Sequence, residues 1–445
     1  MIFLDNFVIP SGTEHAALLN ILQVLTLLIF LPFTGMVLGG SILSVYFNGK
    51  GIKESKPLYT RFAKDIMDRI LVKRSAGLAF GVLPVATLTI IYAQFLMNAK
   101  IITVNFLAFS TLYYFAAIIF LLRYKNSFLK VIPHSKFLVT LRLARKEEGE
   151  EENEESIIPS LSGYAYFGLV ALLVGLFLFV CGATIVAEPS RWNTSGILKS
   201  VFSLPVWMNY IYLILASCAI AGSAILYFFF VWQGGIKDMS EDYSRLVKKT
   251  VVPFTLVSSV LLPVFLFGGI ILMPASSMSS SVYLYVVFAF ISILLASNLL
   301  YGILKNSEMQ FAGAVFFIMF LIFTFTIVKD QLVLGNSVRE HLYAINQKAE
   351  EYDRQKEALV MTSTGVSAEQ IYNQKCIACH KFDVKLVGPP YKETVPKYNG
   401  DVKKLSEFIF NPVKINPDYP SMPNQGLKKK EAEAMAQWLM EKVNH

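Results

Sequence analysis

The sequence predicts an all-α membrane protein: eight transmembrane helices forming two pseudo-symmetric four-helix bundles, with a small soluble C-terminal domain after them. Three observations carry that prediction. Of 445 residues, 54% are hydrophobic and 16% charged, whereas soluble domains carry roughly a quarter charged residues. The apolar residues gather into eight runs, each about the 20 residues that cross a hydrocarbon core. Short sequence matches also recur, in the same order, in the two halves of the apolar region.

The runs lie roughly at 17–46, 76–98, 101–122, 161–187, 206–233, 251–273, 282–304 and 309–328. The first is long enough to tilt or to project from the bilayer. It is a full span preceded by acidic or neutral residues, so no cleavable signal is expected.

Lys and Arg alternate between the connecting loops. The loops after spans 1, 3, 5 and 7 hold eight, seven, four and one, whereas the others hold one (Lys100), two (Arg191 and Lys199) and none. Positive loops mark the cytoplasmic side. Both termini are therefore expected on the periplasmic side of a bacterial inner membrane. The same clustering accounts for a net charge of +8, so nucleic acid is not an expected partner. The run 146-KEEGEEENEES-156 reads as a solvated cytoplasmic segment.

The internal matches are ordered. The segment 51-GIKESKPLYTRF-62 follows span 1, and 235-GIKDMSEDYSRL-246 follows span 5. Upstream, 40-GSIL-43 resembles 222-GSAIL-226, and downstream 82-VLPV-85 resembles 261-LLPV-264. Such a series argues for duplication of a four-helix unit, and a four-span repeat keeps its direction across the membrane. Convergent loop composition is the other reading. The expected domains are residues 1–187 and 188–330 for the two bundles, 331–365 for a connector and 366–445 for the soluble domain.

The connector is expected to be a separate helix over 337–361, with Ser337 as its cap. Val338, Leu342, Ile345, Ala349 and Tyr352 form a stripe spaced by fours and threes. At 1.5 Å per residue such a helix reaches about 35 Å.

The chemistry lies in 374-QKCIACHKFDVKLVGPPY-391. Cys376, Cys379 and His380 spell C-x-x-C-H, the attachment signature of a c-type haem. Around it, 367-SAEQIYNQK-375 reads as a helix with Ser367 as N-cap and Gln370 completing a capping box. A Gly-Pro turn follows at 386-LVGPPY-391, then a loop 420-PSMPNQGL-427 and a last helix over 428–443 carrying Trp438. In this order, residues 366–445 resemble class I c-type cytochromes.

The resemblance implies one covalently bound haem c, joined through Cys376 and Cys379. It implies His380 as proximal ligand, Met422 as sixth ligand, and a hydrogen bond from His380 to the Pro389 carbonyl that fixes the imidazole. Thioether ligation raises the reduction potential relative to bis-His. Met435 and Met440 read as core residues and His445 as a terminal one. With both axial positions filled, the domain carries one electron and does no bond chemistry. Lys381, Lys385, Lys392, Lys397, Lys403 and Lys404 form either a basic docking face or a solvated surface.

The spans offer no second redox centre. None of the five histidines falls within a span: His15 lies at an end of span 1, His134 in a loop and His341 in the connector. Cys181 and Cys218 read as buried small hydrophobes. Charged residues are nearly absent from the spans, which argues against an ion-coupled transporter. Tyr92, Gln94, Asn209 and Asn298 are candidates for a quinone pocket, but interhelical hydrogen bonds are the preferred reading of each.

Two such bundles are loosely similar in architecture to the membrane subunits of bd-type quinol oxidases. Lacking in-span histidines, the chain resembles a haem-free partner subunit that has gained a cytochrome tail. The expected function is a membrane-anchored, non-catalytic monohaem cytochrome c subunit of a bacterial respiratory or photosynthetic electron-transfer complex. Its expected partners are other subunits, a periplasmic electron carrier and the lipid bilayer. The alternatives are a catalytic quinol oxidase or quinol:cytochrome c reductase subunit, and a haem-bearing transporter or sensor.

Overall fold

The computed structural model describes residues 13–71, 74–96, 102–145, 157–189, 192, 199, 201–236, 239–306, 309–363 and 368–444. The acidic run 146–156, Ser367 and His445 lie outside the described residues, as do the side chains of His15, His134, Ile345 and Ala349. Among the described residues there are helices and no strands. The chain divides into two compact units, Met1–Asn346 and Gln347–His445.

The first unit is built from α1 (Thr13–Lys53), α2 (Pro57–Ile70), α3 (Arg74–Phe95), α4 (Thr103–Arg145), α5 (Ile157–Val186), α6 (Leu204–Phe230), α7 (Glu241–Ile271), α8 (Ser280–Asn306) and the part of α9 (Ala312–Ser363) up to Asn346. Eight of these, all but the amphipathic α2, are long and apolar enough to cross a membrane. They correspond one for one with the eight apolar runs. Hydrocarbon offers no partner for backbone N–H and C=O groups, and a helix satisfies them within itself. Outward side chains such as Ile90, Leu112, Phe167 and Val264 are exposed, a belt that a soluble surface of this extent would not carry. A single π turn over Leu78–Val82 interrupts α3 just before Pro84.

The connector does not form the separate helix expected of it. The last span continues without a break through Ser363, because good helix formers follow it and the single Gly335 costs only about 1 kcal/mol. Ser337 is consequently an interior residue of α9 and caps nothing. Its hydroxyl lies 2.8 Å from the Val333 carbonyl, 2.9 Å from the Ala187 carbonyl and 2.7 Å from the Ser277 hydroxyl. It thus pins the residue after α5 and the turn between α7 and α8 to α9.

Packing centres on α6, the most buried of the spans. Lipid tails supply no hydrophobic drive between helices, so contacts depend on close approach through small residues and on hydrogen bonds. A side chain at Gly39 of α1 would run into the Ser217 carbonyl and the Ala221 Cβ of α6. On α5, Gly168, Gly175 and Gly182 stand seven residues apart and all lie against α4. That contact lets Ser110 donate to the Gly175 carbonyl at 2.7 Å and Thr103 to the Gly182 carbonyl at 3.3 Å.

Between α1 and α4, Thr34 meets the Tyr114 hydroxyl at 2.8 Å, and Ser44 meets that of Tyr124 at 3.1 Å. Both pairs have the same sequence offset of 80. Two helices keep such an offset over three turns only if they run parallel, as first and third spans must.

At the end where α2 lies, Tyr243 of α7 donates to Asp65 of α2 at 2.6 Å, and the Arg61 guanidinium sits over the Tyr243 ring at 4.9 Å. Burial holds the Asp65 carboxyl above its ordinary value, against the opposing pulls of the Tyr243 hydroxyl and the Arg61 charge.

Overpacking a tight contact costs about 1–3 kcal/mol. Gly39→Leu should lower the midpoint of thermal unfolding in detergent by several degrees. Gly302→Leu on α8, where a Cβ meets nothing within 4 Å, should leave it unchanged. Equal midpoints for the two would remove the α1–α6 contact as a determinant of stability.

Candidate functional site

The second unit holds every residue of the C-x-x-C-H motif and its predicted companions. It contains α10 (Ala368–Ile371), which runs into a π turn over Tyr372–Cys376, then α11 (Tyr391–Thr394), α12 (Val402–Phe410) and α13 (Lys429–Asn444). The wider π turn ends on Cys376, and such turns concentrate at functional sites. Backbone bonds Cys379 N–H to Cys376 O at 3.1 Å and His380 N–H to Cys376 O at 2.9 Å continue the coil through the motif.

The segment after the motif folds back on it. Gly388 N–H donates to Cys379 O at 2.8 Å, Tyr391 N–H to Lys381 O at 3.0 Å and Lys392 N–H to Phe382 O at 3.1 Å. These three bonds put the Pro389 carbonyl 2.9 Å from Nδ1 of His380. A carbonyl can only accept, so Nδ1 carries the proton and Nε2 keeps its lone pair for a metal. Gly388 is required by proximity: any Cβ there would strike the imidazole. The Tyr391 ring stacks on the imidazole at 5.1 Å between centroids and 20° between planes.

An aromatic cluster ties this loop to the helices. Tyr372 of the π turn meets Phe382 at 5.4 Å and Trp438 of α13 at 5.3 Å, and Phe382 meets Trp438 at 5.7 Å. Trp438 therefore packs on the first helical segment, as the sequence predicts. Met435 and Met440 are buried in the same core.

The loop bearing Met422 is held by side chains. Lys375 donates to the Gln425 carbonyl at 2.9 Å, Asn424 to the Phe410 carbonyl at 3.3 Å, and the Asn424 side chain accepts from Gly426 N–H at 2.8 Å. Gly426 has φ +64°, a left-handed conformation that suits glycine. The loop ends where Glu431 accepts from Lys428 N–H at 2.8 Å, half of a capping box opening α13.

These elements enclose a cavity of about 470 Å³, within the range of cofactor sites. Cys376, Cys379, His380, Pro389 and Met422 all line it. Apolar wall residues include Val395, Leu405, Ile409 and Leu439. Burial pushes the Cys376 thiol up, against smaller opposing pulls from a Tyr391 hydrogen bond and the Lys375 charge. Two sulfurs, an imidazole with a fixed tautomer and a thioether around one apolar cavity fit a covalently held haem.

The six lysines named from the sequence are exposed. Lys392 is paired with Asp383, Lys385 lies over the Tyr419 ring at 4.5 Å, and Lys397 and Lys404 reach the cavity wall. Tyr391 was missed by sequence reasoning, although its place directly after the Gly-Pro turn is a usable signal.

In the first unit, Tyr92 and Asn209 line one common cavity. Gln94 and Asn298 are not among its lining residues. Cys181 and Cys218 are buried, and His341 packs edge-on against Trp192 at 5.2 Å. Among the described residues no cluster of three His, Cys, Asp or Glu side chains could hold a metal ion. Lys329, one residue beyond the eighth apolar run and still within α9, is 5% exposed.

Comparison with known proteins places this second unit. The family model for cytochrome c matches residues 366–442. Cytochrome c-551 of Pseudomonas aeruginosa is 30% identical over 78 residues, which are 15% of this chain and 68% of that protein. Cytochrome c-551 of Pseudomonas denitrificans is 35% identical over 82 residues, 18% of this chain and 96% of that protein. Cytochrome c-552 of Hydrogenobacter thermophilus is 35% identical over 78 residues, 16% of this chain and 78% of that protein. No solved structure matches the chain.

Gly388→Ala should displace the His380 ring and break its bond to Pro389. Haem-stained protein per unit of chain is expected to fall several-fold, whereas Lys403→Ala, at an exposed position outside the cavity wall, should keep most of it. Unchanged haem loading in Gly388→Ala would show that the close approach is dispensable.

Proposed function

The chain belongs to the cytochrome c family through residues 366–442, and from that premise we propose that it is a membrane-anchored monohaem electron-transfer subunit. It serves a bacterial respiratory or photosynthetic complex and relays single electrons at the periplasmic face. The observation that carries this reading is the convergence of Cys376, Cys379, His380, Pro389 and Met422 on one cavity.

In this assignment Cys376 and Cys379 would hold the haem through thioethers, and His380 and Met422 would ligate its iron. The Pro389 carbonyl and the Tyr391 ring fix the imidazole from two sides. The bonds from Lys375 and Asn424 hold the Met422 loop closed over the cavity. When bound, haem c supplies a one-electron couple. With His380 and Met422 both ligating, the iron would have no position open to oxygen or substrate, which favours electron relay.

The eight helices anchor this domain and meet the other subunits. The loop charges support periplasmic termini. The ordered sequence matches and the contact of α1 with α6, the first helices of the two halves, support two pseudo-symmetric four-helix bundles.

The purified chain should contain one haem c and no haem b by pyridine haemochrome analysis. Stoichiometric haem b would transfer support to the catalytic alternative. Met422→Ala should open the sixth position, so that the reduced protein binds carbon monoxide; a spectrum unchanged by both the substitution and the gas would remove Met422 as ligand. For topology, alkaline phosphatase fused after His445 should be active and the same enzyme inserted within 146–156 inactive. The opposite pattern would invert the assignment.

A further inference from the structure

Six helices of the first unit, α1, α3, α5, α6, α7 and α9, enclose a second cavity of about 150 Å³. It lies at the end of the spans where Ser337 joins Ala187. A cavity of that volume accepts one six-membered ring. Most of its wall is apolar, with Leu27, Leu31, Phe179, Phe265 and Phe323 among the lining residues.

Against that wall stand a few convergent polar groups. Asn209 donates through Nδ2 to Thr184 Oγ1 at 3.1 Å, which leaves its Oδ1 as an acceptor. Tyr212 lies 2.9 Å from Thr326 Oγ1. Thr326 gives its own proton to the Ile322 carbonyl at 2.8 Å, so Tyr212 is the donor and keeps its lone pairs. Lys329, 5% exposed, is paired with Asp330 at 2.7 Å and has further N–H groups to give. The Gln331 Nε2 donor is buried with no hydrogen-bond partner, and the same residue lines the cavity. An unpaired buried donor on a wall that also carries Glu188 and Asp330 calls for an acceptor that the chain itself does not supply to it.

We propose that this cavity binds the head group of an isoprenoid quinone or quinol. Such a head group is a single ring with oxygens on opposite edges. Those oxygens accept from Lys329 and Gln331, or as hydroxyls donate to Asn209 Oδ1. A sugar or amino acid has too many polar groups for this wall, and an acyl chain would leave Gln331 unpaired. The physiological meaning of the site rests on the chain being a membrane electron carrier, whereas the binding is measurable without that reading.

The test is calorimetric titration of the full haem-loaded chain in detergent with decylubiquinone. Saturable binding of one equivalent is expected. Ala183→Phe, which fills the cavity, and Gln331→Met, which removes the unpaired donor at similar length, should each weaken binding at least tenfold and leave the haem c spectrum and elution volume unchanged. The proposal is overturned if the monodisperse wild-type chain shows no saturable binding. It is equally overturned if any folded variant of the two keeps wild-type affinity. An intact haem c spectrum in either case leaves the electron-transfer reading standing, and a chain that binds decylubiquinone but carries no haem c would sink that reading alone.

Discussion

In a hydrocarbon solvent every backbone polar group must be satisfied by the protein itself, and the architecture of the first unit follows from that constraint. Helices meet it individually, and eight of them of sufficient length and apolarity result. Nothing in lipid drives those helices together by burial alone, so assembly falls to close contact and to hydrogen bonds. The approach of α1 to α6 at Gly39 and the glycine row of α5 against α4 serve the first need. The second is served by hydroxyls that bridge neighbouring helices, from Ser110 to Gly175 and from Thr34 to Tyr114.

Water imposes the opposite logic on the second unit. Its core is small: a cluster of four aromatic rings and a short list of aliphatic side chains. A domain of this size is only modestly stabilised by apolar contact, and a covalently attached haem would add both core volume and cross-links. The protein's own contribution is orientation. Three backbone bonds between residues 379–382 and 388–392 set the Pro389 carbonyl against His380, and the missing side chain of Gly388 makes room for the ring.

Two charged side chains of the first unit lie buried at one end of the spans. Lys329 and Glu188 are both largely buried, close to where Ser337, Ala187 and Ser277 join three helices. Charges taken from water are costly unless paired, and in membrane helices they mark functional places. The 2.7 Å pair of Lys329 with Asp330 meets that cost on the wall of a cavity.

The number of spans, the motif and its order relative to the Gly-Pro turn and the Met422 loop were legible in the sequence, because each depends on local composition or fixed spacing. Hydropathy reports solvent, and C-x-x-C-H reports one turn of chain. The α5 glycines at seven-residue intervals were also open to reading, since heptad spacing marks one face of a helix. Where the last helix ends was not legible, because hydropathy falls at Lys329 while helix propensity does not. Ser337 looked like a cap for the same reason, and only its contacts with Ala187 and Ser277 reveal an interhelical pin. The stacking of Tyr391 on His380 and the convergence of Tyr92, Asn209 and Lys329 on one cavity were decided by tertiary structure. Those residues are far apart in the chain or lie across a turn, and their meeting depends on packing that no local spacing encodes.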